Sequence, residues 1–298
     1  MVSKTKELLD KYGIRTTKSL GQNFLINRDI CRKIVEGADV CKNDIVIEVG
    51  PGIGSMTVEL AERAKAVAAI EIDKKLIPAL KENTYSFDNV FIFNEDILQC
   101  DIKDIIKTVE KSVFSTENTK QEYALKVVSN LPYYITTPVI MKFIENKDLR
   151  FSTMVYMVQK EVAHRIIAKP GNKDYGVLSV AVQFYANAVK LFDVSPGCFI
   201  PQPEVDSSVI RLEAYQKEKF KADDAKVFFK VVKASFSQRR KTLLNALSGN
   251  NLINNIDKET IKEILAKAGI QQNSRAEQLS IDDFCKLTNE IIRYSRRD

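Results

Sequence analysis

Over its first 215 residues the chain alternates short β-branched and apolar runs with amphipathic stretches of helical period. That alternation narrows the fold more than any other feature, because strands separated by helices pair in parallel into a sheet covered on both faces. The strand candidates are 45–49, 66–72, 90–94, 124–129, 153–159, 189–194 and 207–213. Between the last two lies only a short segment with Pro196, Gly197, Pro201 and Pro203, too short for a crossover helix, so that pair is expected to be antiparallel. Beyond residue 215 the pattern is helical only, over 225–237, 239–247, 258–268 and 281–293. The reading is an α/β fold with a mostly parallel sheet and an antiparallel strand near one edge. It occupies residues 1–215 and is followed by a small all-α domain over 216–298.

Composition excludes several classes. With 298 residues, 45% of them hydrophobic, the chain can bury a substantial core. Its uninterrupted apolar runs, such as 66–70 and 154–158, fall far short of the ~20 residues of a membrane-spanning helix. The first ten residues alternate Lys and Glu without an apolar core, so no membrane association or secretory signal is expected, and the location is expected to be cytoplasmic. Five cysteines, at 31, 41, 100, 198 and 285, share no zinc or dithiol spacing, and the single histidine, His164, has no partner motif. No metal site and no Ser-His-Asp triad is expected. The net charge of +6 is localised: residues 216–298 hold 17 Lys and Arg against 11 Asp and Glu, leaving the first 215 in balance. An excess concentrated on one domain is what phosphate-backbone binding requires, although a solvated helical surface would read the same way.

The first chemical motif is Glu48-Val49-Gly50-Pro51-Gly52-Ile53-Gly54, directly after the first strand and before a helix near Ser55. Glycines there allow a sharp turn and close approach of backbone to a ligand, at the strand end where open α/β sheets bind ligands. Glu71 at the end of the second strand and Asp96 just past the third place two carboxylates on the same edge, suited to a ribose diol and an adenine amino group. A dinucleotide fingerprint needs a third glycine, but Ser55 or Thr57 stands there, depending on which pair is counted. A nucleoside ligand without a pyrophosphate, such as S-adenosylmethionine, suits the loop better than a nicotinamide dinucleotide.

The second motif, Asn130-Leu131-Pro132-Tyr133-Tyr134, follows the fourth strand and stands at the same edge. An adenine amine is a weak nucleophile because its lone pair is conjugated into the ring. Acceptors at the Asn130 side chain and the Leu131 carbonyl ahead of Pro132 would hold both amine hydrogens and direct that lone pair at a methyl donor. Tyr133 would stack on the base, a contact worth ~1–3 kcal/mol. A turn with packed tyrosines is the bland alternative.

At these residues the chain resembles the ribosomal RNA adenine dimethyltransferases, and the resemblance covers nearly its whole length. Besides EVGPGIG, Glu71, Asp96 and NLPYY, it is carried by Leu20-Gly21-Gln22-Asn23-Phe24-Leu25, Lys160-Glu161-Val162-Ala163, Tyr175-Gly176-Val177-Leu178-Ser179-Val180, the segment from Phe199 to Ser207, and Phe236 to Thr242. Within the family the match is to the bacterial small-subunit (16S) type, which dimethylates two adjacent adenosines near the 3′ end of that RNA. The resemblance implies a Rossmann-like class I methyltransferase sheet. It implies S-adenosylmethionine contacts at Asn23, Leu25, Gly50, Glu71, Asp96 and Asn130, with Gln22, Gly52, Gly54, Ile72 and Ile97 beside them. The catalytic set it implies is Asn130, Leu131, Pro132, Tyr133 and Phe199, with Tyr133 and Phe199 as the aromatic faces around an extruded adenine. Arg239, Arg240 and Lys241, with the tail up to Arg297, would grip RNA phosphates within a pre-ribosomal particle, and a monomer is expected. Three readings stay open beside this one: a large-subunit enzyme conferring antibiotic resistance, a DNA adenine methyltransferase, and an assembly factor whose catalysis is secondary.

Overall fold

A computed structural model describes residues 2–14, 22–114, 123–146, 148–238 and 240–296. The chain divides into two compact units, one of Met1–Ala163 with Ala188–Ala214, the other of His164–Asn187 with Tyr215–Asp298. A single cut after 215 therefore differs from the observed division: 164–187, including Tyr175 to Val180, belongs with the helical unit. The reason is packing, since Tyr175 and Val180 are buried in one core with Phe228, Val231 and Phe284. Local periodicity cannot reveal that a helix returns to a later part of the chain.

The strands are β1 (Phe24–Leu25), β2 (Asp44–Val49), β3 (Ala66–Ile70), β4 (Val90–Phe93), β5 (Ala124–Asn130), β6 (Phe151–Gln159), β7 (Ala186–Val194), β8 (Phe199–Ile200) and β9 (Ser207–Ala214). Seven form one sheet in the order β4-β3-β2-β5-β6-β9-β7. The pairs β3–β4, β2–β3, β2–β5 and β5–β6 are parallel, and β9 runs antiparallel to β6, second from one edge. All seven expected strands are present. The two-residue pair β1–β8, Phe24 with Ile200 and Leu25 with Phe199, was not anticipated, because two residues carry no periodicity. Burial explains the sequence of the central strands: every residue of β2 and of β3 is buried, as a parallel strand covered on both faces must be.

The sheet unit's helices are α1 (Val2–Lys11), α2 (Arg28–Gly37), α3 (Ser55–Arg63), α4 (Ile77–Thr84), α5 (Ile102–Val113) and α6 (Thr136–Ile144). Their ends follow capping chemistry. Asn27 accepts from the amides of Asp29 and Ile30 at the start of α2, and Asp101 accepts from Lys103 at the start of α5. The buried Glu59 of α3 joins α2 to α3 through Arg28 at 2.5 Å and lies 3.2 Å from Arg63 on its own helix. Helix α7 (Lys160–Ile167) follows β6 directly.

In the helical unit, α8 (Val177–Tyr185) joins α9 (Ala225–Phe236), α10 (Leu243–Leu247), α11 (Lys258–Lys267) and α12 (Ile281–Ser295) around buried Leu243, Leu247, Ile261, Leu265 and Leu287. The helix expected from 239 begins only at Leu243, with Thr242 at its N-cap and the Lys241 amide turned back to the Gln238 carbonyl. Arg240 and Lys241 therefore precede the helix rather than standing on one of its faces. Among the described residues no helix is long and apolar enough to cross a membrane, and no group of three metal-type ligands occurs. All five cysteines are free thiols.

Candidate active site

Because β2, β3 and β5 are parallel, their carboxyl ends deliver Gly50, Glu71 and Asn130 to one sheet edge. A cavity opens there, walled by Gly50, Pro51, Gly52, Glu71, Asp96 and the 130–135 turn, with Gln22, Asn23, Leu25, Ile72 and Ile97 also on it. Thus Asn130, Leu131, Pro132 and Tyr133 meet Gln22, Asn23, Leu25, Gly50, Gly52, Glu71, Ile72, Asp96 and Ile97 in one place.

The loop after β2 is held by backbone. The Gly50 amide donates to the Ile70 carbonyl at 2.9 Å and the Gly54 amide to the Pro51 carbonyl at 2.9 Å. Gly52 has φ +61°, and a Cβ on it would lie 3.1 Å from the Phe24 ring, so both conformation and close approach require glycine. Its amide donates to Glu71 Oε2 at 3.1 Å, while the Asp73 amide donates to Oε1 at 2.9 Å. Gln22 donates to Asp73 Oδ2 at 2.8 Å and ties the segment before β1 to the same turn.

Two carboxyls in the wall are poorly hydrated. Burial pushes Glu48 up to about 8, with the neighbouring Glu71 adding to the shift; the Thr57 hydroxyl opposes it, yet Glu48 Oε2 and Thr57 Oγ1 both lack a hydrogen-bond partner. Burial likewise pushes Glu71 up to about 7 against the amides of Asp73 and Gly52. Asp96 is anchored differently, accepting from the Leu98 amide at 2.9 Å and from Gln99 at 3.0 Å.

Asn130 Nδ2 donates to the Asn23 carbonyl at 3.2 Å. A carbonyl only accepts, so this bond fixes the amide's orientation and leaves Oδ1 as the acceptor on its other side. The Leu131 amide donates to the Met157 carbonyl at 3.1 Å, extending the β5–β6 ladder into the turn. Tyr133 opens a short 3₁₀ turn, Tyr133–Ile135, and its hydroxyl lies 2.8 Å from Ser207 Oγ. Burial raises the Tyr133 phenol and the Ser207 bond opposes the rise.

Two expected site residues lie elsewhere. Phe199 is buried, 1% exposed, among Leu25, Cys31 and Val194, and does not line the cavity. It stands on β8 opposite Leu25 and packs in the core beside it, so it is not brought together with Tyr133 on the cavity wall. Gly54 is also off the cavity. Its φ is +85°, and a Cβ would stand 2.8 Å from Leu80, so it permits α3 and α4 to pack. Arg240 and Lys241 are exposed in the helical unit, while Arg239, Leu20, Gly21 and Arg297 lie outside the described residues.

Sequence reasoning missed Phe24, Glu48, Met56, Leu98 and Tyr134 as lining residues. Glu48 had a readable signal, since a carboxyl inside an otherwise apolar central strand is costly unless something uses it. Tyr134, half-exposed at the rim, was hidden behind the Tyr133 assignment.

Sheet order, the antiparallel insertion and a cavity at the carboxyl edge define a Rossmann-like methyltransferase. A solved dimethyladenosine transferase from Plasmodium falciparum superposes with a TM-score of 0.74 at 26% identity, covering 92% of this chain and 98% of that one. The chain belongs to the ribosomal RNA adenine dimethylase family, whose model matches residues 13–293. It is 48% identical to the ribosomal RNA small subunit methyltransferase A of Alkaliphilus oremlandii over 97% of this chain and 96% of the relative. It is also 48% identical to the protein of that name from Clostridioides difficile, over 96% and 94%.

Proposed function

We infer that this enzyme transfers methyl groups from S-adenosylmethionine to the exocyclic amines of two adjacent adenosines near the 3′ end of small-subunit ribosomal RNA. It acts as a cytoplasmic monomer on a pre-ribosomal particle. The observation that carries the reading is the meeting, in one cavity, of the Gly50 loop, the Glu71 carboxyl and the Asn130–Tyr133 turn. The names of the curated relatives and of the Plasmodium falciparum transferase support the substrate class.

The residues fit the donor. An orphaned Glu48 oxygen, a buried Glu71 and Asp96 make a wall that attracts a cation and accepts from hydroxyls and amines, whereas a pyrophosphate would be repelled. Glu71 would hold the ribose, Asp96 the adenine amino group, Ile72 and Ile97 the adenine faces, and Gly50, Gly52, Asn23 and Leu25 the methionine side. S-adenosylmethionine, when bound, supplies an electrophilic methyl group on a sulfonium.

The rest is the chain's own work. Asn130 Oδ1 and the Leu131 carbonyl accept the two amine hydrogens, which holds the nitrogen pyramidal with its lone pair toward the donor. Tyr133 stacks on the extruded base. After transfer the nitrogen is strongly acidic and loses its proton to water, so no side-chain base is assigned. Arg239, Arg240 and Lys241 hold the RNA backbone and set register.

The test is transfer of tritiated methyl from S-adenosylmethionine to under-methylated small subunits, to deproteinised small-subunit RNA and to large subunits. Label on adenosine from the small-subunit substrates, with Asn130→Ala losing turnover far more than cofactor affinity, is the expected result. Label on the large subunit alone overturns the reading, and equal losses in both quantities would make Asn130 a binding residue only.

A further inference from the structure

Among the described residues the Tyr133 side chain hydrogen-bonds to one other, Ser207, which has no part in the transfer itself. Ser207 is fully buried, and its Oγ lies 2.8 Å from the Tyr133 hydroxyl. The two residues belong to elements that are not neighbours. Tyr133 follows β5, Ser207 opens β9, and β6 lies between those strands. The bond therefore bridges the carboxyl end of β6.

Both ends of the bridge are held. On the β5 side, the Leu131 amide bonds to Met157 of β6, and the Pro132 carbonyl accepts from the Ile135 amide at 3.2 Å. On the β9 side, Ser207 is registered opposite Gln159, and just beyond that strand pair Lys160, the first residue of α7, donates its amide to the Asp206 carbonyl at 3.0 Å. The Lys160 ammonium closes a second bond to Asp206 Oδ2 at 3.0 Å, and Ser208 Oγ donates to Asp193 Oδ1 at 2.6 Å. The serine is thus clamped between two anchored neighbours.

A tyrosine ring has two torsions. Fixing its root in a proline turn and its far end at a buried hydroxyl removes both. The phenolic oxygen is then engaged with protein, and what faces the cavity is the ring.

We propose that Ser207 is a positioning residue that locks the Tyr133 ring across the end of β6 in the orientation needed to stack on the target adenine. The proposal rests on the reading of Tyr133 as the stacking residue. Its substance is pre-organisation. The hydrogen bond adds no contact to the substrate, but it removes ring orientations that hold the amine off the line of transfer. The apolar ring survives in Tyr133→Phe, so that variant isolates the anchor from the stack.

The experiment measures kcat and KM on under-methylated small subunits, and the dissociation constant of S-adenosylmethionine, for Ser207→Ala, Tyr133→Phe, their combination and Tyr133→Ala. Each single anchor variant should lower kcat about tenfold, as loss of one modest hydrogen bond allows, with cofactor affinity unchanged within about twofold. The double variant should fall no further than the lower single, because both remove the same bond. Multiplying losses, or equal losses of turnover and cofactor affinity, overturn the proposal. Should Ser207→Ala not fold, a folded Tyr133→Phe with wild-type kcat beside an inactive Tyr133→Ala overturns it equally. Full activity in Tyr133→Ala would instead remove the stacking reading itself.

Discussion

Replacing Glu48 by Gln should remove one source of pH dependence from this protein, in two measurable ways. Glu48 ends the apolar run of β2 inside the cavity wall, with one oxygen unpartnered and its ionisation pushed up to about 8 by burial. In the ligand-free protein a carboxyl raised from 4.5 contributes stability that is complete below about 4.5 and lost as the pH rises through about 8. Each tenfold in that proton equilibrium is worth ~1.4 kcal/mol, so Glu48→Gln should raise stability by up to a few kcal/mol at pH 8 and by little at pH 5. Cofactor binding carries the opposite sign, because a cationic ligand needs the carboxylate. Below its pKa the ionised fraction falls tenfold per pH unit, so wild-type affinity should rise about tenfold from pH 6 to pH 7 through this group. Glu71, pushed up to about 7, steepens the slope in the same direction. Thermal melting from pH 5 to 8 and titration calorimetry with S-adenosylmethionine between pH 5.5 and 7.5 read the two effects. In buffers of different ionisation enthalpy, wild type should release more protons on binding than the variant. A flat difference in melting between Glu48→Gln and wild type across pH, or equal binding slopes in the two, refutes the reasoning.

Other expectations follow from the same geometry. Gly52→Ala forces a left-handed φ of +61° on a side chain 3.1 Å from the Phe24 ring, and should lose ~1–2 kcal/mol in urea unfolding together with cofactor affinity. Unchanged binding would show that Phe24 yields freely. Glu59→Ala leaves Arg28 and Arg63 without their buried partner, and because both arginines reach water the cost should be ~1–3 kcal/mol in denaturant midpoint, with turnover at saturating substrate intact. Arg239→Ala combined with Arg240→Ala should weaken RNA binding and lower its salt slope by about one per lost phosphate contact while cofactor affinity holds; wild-type binding across a salt series makes the cluster a bare surface.

Much of this protein was legible in the order of its residues. Strands β2 and β3 announce themselves because a strand buried on both faces must be almost continuously apolar, β4, β5, β6, β7 and β9 through their β-branched and apolar residues, and the Gly50 loop, Glu71, Asp96 and Asn130 are visible because each stands at or just past the end of such a strand. Parallel pairing then sends strand ends to a common edge, so local pattern suffices to assemble most of the cavity. Tertiary structure alone decided four things. Phe199 packs in the core among Leu25, Cys31 and Val194, and Gly54 proved to be a seat for Leu80. The segment 164–187 joined the helical unit because Tyr175 and Val180 complete that unit's core. The Tyr133–Ser207 bond belongs with these, since it joins residues 74 apart in the chain. Periodicity reports which face of an element is apolar; which distant element covers that face is settled only when side chains compete for the same buried space.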